Sequence, residues 1–485
     1  MNEEERGTVT SIDDEEDFFF KPKKKNKILF LSDHPLAPSG VGVQARFLIQ
    51  GLLDTGKYSF KCLGGAIKHA DYTPVKVNDD FIVIPVDGFG TKDQIRSMLI
   101  TDKPDAIFIF TDPRQFIWLW EMEDEVHSVC PIVYWHVWDN DPYPAFNRPW
   151  YEGTDLINCL SYKTYEIIKP NFPEKTNYIP HAFPKQVFFP MTPEQIKQVS
   201  LQQFGPKNDW FKILWVNRNA HRKVPSDVLE CWKGFLDNLE KKYGHRKAVM
   251  IMHTDPKDTE GPDLITVTQE LKISENVWFS VEKLQFEQMN LLHNVVDGVI
   301  NISRAEGFGL STLISMQVGK PVIALKTGGM IRQVEDWRDG SHHGVGLNPV
   351  KRLLVGSQQV PFIYEDLAST QETTDAFMKL FEMTSEEKEA MKKKCTDYVD
   401  SEFNYIDVVN KWDTGLETCI ENYKSKQKAT SNRWKLGEIV TQGTRAAEPA
   451  NQQHQQLAPV SQPPKNINNK QALVDKSEIK LVRRK

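Results

Sequence analysis

The chain has 485 residues, of which 40 % are apolar and 26 % charged, and its net charge is −6. That length exceeds one ordinary domain, and the intermixed Lys/Arg and Asp/Glu exclude a global basic field of the kind that binds nucleic acid by counterion release, so nucleic acid enters only as an acceptor met through a local patch. Six widely spaced cysteines (Cys62, Cys130, Cys159, Cys231, Cys395, Cys419) with no Cys-x-x-Cys pair, no secretory leader and no apolar run of ~18 residues lead us to expect a soluble, cytoplasmic protein with buried free thiols and no transmembrane segment.

Residues 1–26 carry an acidic run at 13–17, then Phe18-Phe19-Phe20, then lysines through Lys25. Such charge blocks favour solvation over packing, and a disordered leader is expected, its three phenylalanines serving either as a docking motif or as a fold-back onto the adjoining domain. From 27 to 190, short Val/Ile/Phe-rich runs at 28–32, 60–63, 81–86, 106–110, 132–136, 156–160 and 178–179 alternate with helical stretches. This alternation is the pattern of a parallel sheet with crossover helices. Phe188-Phe189-Pro190 and the polar stretch to Asn208 read as an interdomain connection. A second domain, 191–403, has strand candidates at 213–216, 249–252, 277–279, 298–302 and 321–324, and after Pro361 the pattern turns helical at 366–383, 385–399 and 405–423. The stretch 404–427 reads as a closing helix, and 428–485, rich in Gln, Asn and Pro and ending Arg483-Arg484-Lys485, as a disordered low-complexity tail. The expected fold class is α/β, with two Rossmann-like domains facing a cleft at the carboxyl ends of both sheets.

The most informative segment is Ser303-Arg304-Ala305-Glu306-Gly307-Phe308-Gly309-Leu310-Ser311-Thr312, directly after a strand. Two glycines bracket Phe308 where strand turns to helix, so backbone N–H groups and a helix N-terminus can approach an anion. Two further loops follow strands: Ser39-Gly40-Val41-Gly42 in the first domain and Asn217-Arg218-Asn219-Ala220-His221-Arg222-Lys223 in the second.

Glu306-Gly307-Phe308-Gly309 resembles the corresponding loop of family 4 retaining glycosyltransferases, which have the GT-B fold. Arg218 and Lys223 match that family's arginine-to-lysine spacing, Gly40 lies in a segment similar to its first glycine-rich loop, and Tyr178-Ile179-Pro180-His181-Ala182-Phe183 resembles its segment before the domain crossover, with Pro184 where an acidic residue is common. The similarities span about residues 26–424. The resemblance implies transfer of a sugar from a nucleoside-diphosphate sugar, with retained configuration and no covalent protein nucleophile. Arg218 and Lys223 would bind the donor diphosphate and Glu306 the donor sugar. The backbone of Gly307, Phe308, Gly309 and Leu310 would complete the anion site, and the donor's nucleobase would lie near 278–283, where nothing in the sequence distinguishes uridine from guanosine or adenosine. Two fixed cations where negative charge develops stabilise a departing diphosphate without a metal, so neither metal nor cofactor is expected. For the same reason Asp139 and Asp141 are not read as a metal pair.

His136, at a strand end, corresponds to a histidine that the family places near the transferred sugar; the alternative is a structural histidine packed among Trp135 and Trp138. One departure stands out: the family's second glutamate, which binds the donor ribose, is here Ile314, with Gln317 three residues on as a conceivable substitute. The acceptor remains open among glycan, protein, lipid and modified nucleic-acid base. The rival readings are a catalytically impaired sugar-nucleotide-binding scaffold and another GT-B-like enzyme such as a nucleotide-sugar epimerase.

Overall fold

The computed structural model describes residues 24–433, with side chains described through Gln427. The leader expected before residue 24 and the tail expected beyond 433 lie outside the described residues. Lys25 already forms an ion pair with Asp80, and the first strand opens at Asn26.

The first domain carries β1 (Asn26–Asp33), β2 (Tyr58–Gly65), β3 (Val75–Asn78), β4 (Phe81–Pro85), β5 (Ala106–Thr111), β6 (Ile132–His136), β7 (Leu156–Cys159) and β8 (Thr176–Tyr178). They form one sheet in the order β3-β4-β2-β1-β5-β6-β7-β8, parallel except for β3. The central strands are near-continuous apolar runs because helices cover both faces: β5 reads Ala-Ile-Phe-Ile-Phe-Thr and all but its last residue is buried. β3 was not expected from the sequence. It is an antiparallel edge strand with all four residues exposed, so it has no buried face to write an apolar pattern.

The second domain carries β9 (Phe211–Val216), β10 (Ala248–His253), β11 (Val277–Ser280), β12 (Gly298–Asn301), β13 (Val322–Leu325) and β14 (Gly344–Leu347), all parallel, in the order β11-β10-β9-β12-β13-β14. Helix Pro225–Tyr243 buries Val228, Leu229, Trp232, Phe235, Leu236 and Leu239, a three-and-four spacing that makes one apolar stripe. Helix Thr370–Phe381 packs on that stripe, with the Trp232 and Phe377 rings 5.2 Å apart. In each sheet the chain steps outward on one side of its first strand and returns on the other. The switch points lie between β1 and β5 and between β9 and β12, where a crevice opens at the carboxyl edge.

A separate antiparallel hairpin, β15 (Lys351–Val355) and β16 (Ile363–Leu367), follows the second sheet. This corrects the helix expected from residue 366. Asp366 and Leu367 belong to the strand, and the helix begins at Thr370, where the Ser369 hydroxyl accepts the Glu372 N–H at 3.2 Å. Among the described residues no helix is long and apolar enough to cross a membrane.

The closing helix, Tyr405–Arg433, returns to the first domain. The Tyr405 hydroxyl donates to Phe47 O at 2.7 Å, Lys57 pairs with Asp413 at 2.7 Å and Glu417 at 3.0 Å, and Lys424 pairs with Asp105 at 2.7 Å. Trp412, fully buried, stacks on Phe108 at 4.8 Å and meets Trp135 edge-on at 5.1 Å. Replacing a buried indole by a methyl group costs ~3–5 kcal/mol. Trp412→Ala is therefore expected to lower the unfolding free energy of the first domain by that amount, as followed by chemical unfolding. A loss below about 1 kcal/mol would mean that the helix is not integral to this core.

Candidate active site

The switch point of the second sheet brings together three loops, because β9, β12 and β13 are neighbours and each ends at the same edge. After β9 the chain passes Arg218 and makes a short turn, His221–Lys223, before helix Pro225–Tyr243. Val224, between that turn and helix, has φ +45° and ψ +47°, a left-handed conformation that is costly for a β-branched residue. The strain sits at the residue that follows Lys223, in a buried position that holds it in place.

After β12 comes the Glu306 loop. Asn301, the last residue of β12, accepts from the Ser303 N–H at 3.1 Å and from the Ser303 hydroxyl at 2.6 Å, turning the chain sharply. Gly309 then takes φ +93° and caps helix Leu310–Gln317. The loop after β13 closes from the other side, its Gly329 N–H donating to Glu306 O at 2.9 Å.

At the centre, Lys223 Nζ forms a hydrogen-bonded ion pair with Glu306, whose side chain is 14 % exposed. Arg222 donates to Ala305 O and lies 3.4 Å from Asp139 and 3.9 Å from Glu306. Burial pushes the Glu306 carboxyl up, but the Lys223 ammonium and the Arg222 guanidinium outweigh it and hold the group below the ordinary carboxylate range. Glu306 is thus a fixed anion flanked by two fixed cations.

The sequence placed Lys223 and Glu306 together, and the structure brings them into contact. Arg218 takes another course: 64 % exposed, it forks onto Asp258 at 2.7 and 3.1 Å. Arg222, passed over in favour of Arg218, is the guanidinium beside Glu306, and the run His221-Arg222-Lys223 was its only signal in the sequence.

The first domain meets this loop directly. A Cβ on Gly307 would stand 2.9 Å from the Asp139 carboxylate, and one on Gly40 would stand 3.0 Å from Leu310 Cδ1. Both approaches are to the ends of side chains, so a Cβ at either position would ask Asp139 or Leu310 to shift. The buried Asn140 amide faces Thr327 Oγ1 at 3.1 Å, Tyr364 O at 3.2 Å and Asp366 Oδ2 at 2.9 Å. The Tyr364 N–H donates to Asp141 O at 2.9 Å, and Arg352 pairs with Asp366 at 2.8 Å and Asp141 at 3.1 Å. The hairpin β15–β16 therefore straps the loop after β6 to the second domain. Asp139 and Asp141 face different cations, Arg222 for the first and Lys163 and Arg352 for the second.

Comparisons with known proteins bear on what this arrangement does. Residues 197–351 match the family model Glycosyl transferases group 1, which spans β9 to β14 and the loops bearing Lys223 and Glu306. The second domain is that of a glycosyltransferase. No curated protein sequence matches the chain. Among solved structures, the Anabaena protein HepE in complex with UDP and glucose is 17 % identical, covering 81 % of this chain and 100 % of its own with a TM-score of 0.61. Sucrose-phosphate synthase from Thermosynechococcus elongatus is 14 % identical, with 82 % and 100 % covered and a TM-score of 0.61. These likenesses show the fold, which is GT-B.

His136, Gln317 and Ile314, singled out in the sequence, each have neighbours within the protein. His136 is 0 % exposed, its Nε2 within 2.7 Å of the Tyr151 hydroxyl, and burial lowers its pKa to about 3. Its neutral imidazole packs between the rings of Tyr134 at 5.0 Å and Tyr151 at 5.1 Å. Gln317 spends its amide nitrogen on the crossover segment, donating toward Phe188 O at 2.9 Å and Phe183 O at 3.3 Å, while its Oε1 is buried without a partner among the described residues. Ile314 is buried in the apolar core shared with Leu313 and Phe308. The crossover histidine His181, quoted in the sequence without a role, packs edge-on against Phe308 at 4.9 Å and so supports the Glu306 loop from the first domain.

Ile314→Glu is expected to bury an unpaired carboxylate and destabilise the fold by about 3 kcal/mol or more. A melting curve beside a calorimetric titration with UDP checks this. Tighter UDP binding at unchanged stability would show instead that the position opens onto a wet donor site.

Burial holds His136, His181 and His293 at pKa values of about 3, against an ordinary 6.5. The unfolded chain takes up these protons below pH 6.5 and the folded chain does not, so stability must fall as pH drops from 6.5 toward 3. Urea midpoints measured from pH 7 down to 5 should show the fall. His293, whose two ring nitrogens lack partners, offers a clean control: His293→Leu should flatten the slope by up to about 1.4 kcal/mol per pH unit.

Proposed function

We propose that the protein is a retaining glycosyltransferase that moves a sugar from a nucleoside-diphosphate sugar to an acceptor held by the first domain, without a metal ion. The observation that carries this reading is the pair Lys223–Glu306 at the switch point of the second sheet, with Arg222 beside it and the N-terminus of helix Leu310–Gln317 following. The complexes of HepE with UDP and glucose support a nucleoside diphosphate as the donor's leaving part.

The chemistry follows from charge. When the bond between the sugar and the diphosphate breaks, negative charge accumulates on the departing oxygen. A desolvated ammonium and guanidinium already held in place stabilise that charge with little reorganisation. Glu306, kept ionised by both cations, accepts hydrogen bonds from sugar hydroxyls and fixes the sugar's orientation. Arg218 joins the diphosphate only by exchanging the Asp258 carboxylate for a phosphate. The acceptor hydroxyl forms the new bond on the face the diphosphate leaves, and its proton passes to a departing phosphate oxygen.

The acceptor belongs at the first domain's switch point, after β1 and β5. There the Ser39 hydroxyl donates to Asp33 at 2.7 Å and accepts the Gly42 N–H at 3.0 Å, and Arg114 forks onto Asp112 at 2.8 and 2.5 Å. This is a polar surface suited to a hydroxyl-bearing acceptor, glycan or otherwise.

Lys223→Ala and Glu306→Gln are each expected to lower turnover by ~10²-fold or more, by analogy with lost oxyanion donors, while EDTA leaves the wild-type rate unchanged. Radiolabelled UDP- and GDP-sugars assayed against an acceptor panel read both effects. A rate abolished by EDTA would remove the metal-free mechanism. Failure to bind any nucleoside diphosphate at millimolar concentration would leave a scaffold with this fold.

A further inference from the structure

A cavity of about 520 Å³ opens at the amino edge of the second sheet, the edge opposite Lys223 and Glu306. Its walls include the start of β9 at Phe211 and Lys212, Asp297 just before β12, and Pro321 just before β13. The size suits a small-molecule ligand.

The charges there do not balance. Lys197, Lys320, Lys388 and Lys392 face Asp209, Asp297 and Glu389. A fifth lysine, Lys212, is already satisfied by Asn208 O at 2.7 Å and Trp210 O at 2.8 Å. Asp297 gives one oxygen to the Lys212 N–H at 2.9 Å, and its other stands 3.6 Å from Lys388. Glu389, largely exposed, reaches only Lys392, at 3.9 Å. Among the described residues Lys320 has no side-chain hydrogen bond and no carboxylate within 4 Å. Burial lowers its pKa; Asp297 and, more weakly, Glu389 attract the ammonium, while Lys392 and Lys388 repel it. The stem of Lys392 lies across Gly319, where a Cβ would stand 2.5 Å from Lys392 Cγ, so this cation is carried to the side of Lys320. A desolvated ammonium beside like charges is stabilised by a multiply charged anion that supplies acceptor oxygens to all of them. The far wall is aromatic, formed by Phe381 and by Trp210, one face of which carries the Lys207 ammonium at 4.5 Å.

We infer that this cavity binds a small phosphorylated molecule, a phosphate monoester with its phosphate on Lys320, Lys388 and Lys392 and its organic part against Trp210 and Phe381. The site is separate from the donor site and does not depend on the reaction assigned above.

Lysine acylation of the full chain, read by mass spectrometry, tests this locally, with inorganic phosphate, glucose 6-phosphate and AMP as probes at millimolar concentration. The two esters are expected to slow modification of Lys320, Lys388 and Lys392 together by about five-fold or more, at lower concentration than inorganic phosphate, while exposed Lys241 is unaffected. Calorimetric titration of Lys320→Gln, a substitution that shortens no packed stem of Lys392, should show the ester affinity reduced about ten-fold at unchanged melting temperature. Protection by inorganic phosphate at lower concentration than either ester would overturn the inference in favour of a free-phosphate site. So would protection by none of the three, equal slowing at Lys241, or undiminished ester binding by Lys320→Gln.

Discussion

The ion pair between Lys223 and Glu306 is the constraint on which the rest of the molecule depends. Both groups are largely removed from water, and a buried pair is tolerated only when each charge keeps its partner and its remaining hydrogen bonds. The two residues lie 83 positions apart and follow strands with two others between them in the chain, so the pair exists only if the sheet order returns β12 to the flank of β9. The turn of the Glu306 loop at Asn301, the left-handed Val224 and the backing of Phe308 by His181 all fix one or other end of it. Its worth for stability is modest, whereas its worth for chemistry is considerable: it keeps an ammonium and a carboxylate in fixed positions at a cleft where charge will move.

What the sequence displayed and what it hid follow from how each feature is encoded. Buried parallel strands write themselves as apolar runs, and those of both sheets lie within a few residues of their expected bounds, apart from β3 and β14. The hairpin β15–β16 was hidden because it packs edgewise against loops, with Lys351, Arg352 and Leu354 exposed, and neither alternation nor a solid apolar run marks it. Glu306 and Lys223 were legible from their glycine-rich and basic loops. Arg222 was not, because spacing in a loop does not say which of two arginines turns inward; that is decided by the Ala305 carbonyl and Asp139, which belong to other segments. His136 and Ile314 illustrate the same limit. A strand end or a helix position can be read from sequence, but whether its side chain meets solvent depends on Tyr151 in one case and on the packed domain interface in the other.

The two domains touch along a seam whose chemistry changes along its length. Near Glu306 it is polar, with the Asn140 amide, Thr327, Asp366 and Arg352 sharing hydrogen bonds. Farther along it is aromatic, where Phe286 meets Phe47 at 5.1 Å and Phe188 at 6.3 Å. Polar contacts can be exchanged for a ligand's own groups at little net cost, whereas separating packed rings exposes apolar area to water. Parting the seam at the strap end would therefore expose less apolar area than parting it at the crossover end.

The return of the closing helix to the first domain makes that domain discontinuous in the chain. Its core, around Phe108 and Trp135, is completed by Trp412, about three hundred residues downstream of Phe108. During synthesis the first sheet emerges first and yet carries an uncovered aromatic face until nearly the whole second domain has been made. The second domain is in effect an insertion, joined to the first by two chain crossings rather than one, near residues 183–191 and 403–405. Two tethers forbid the free swivelling that a single linker would allow. The order in which the segments were strung together thus restricts how the two halves of the cleft could turn against each other.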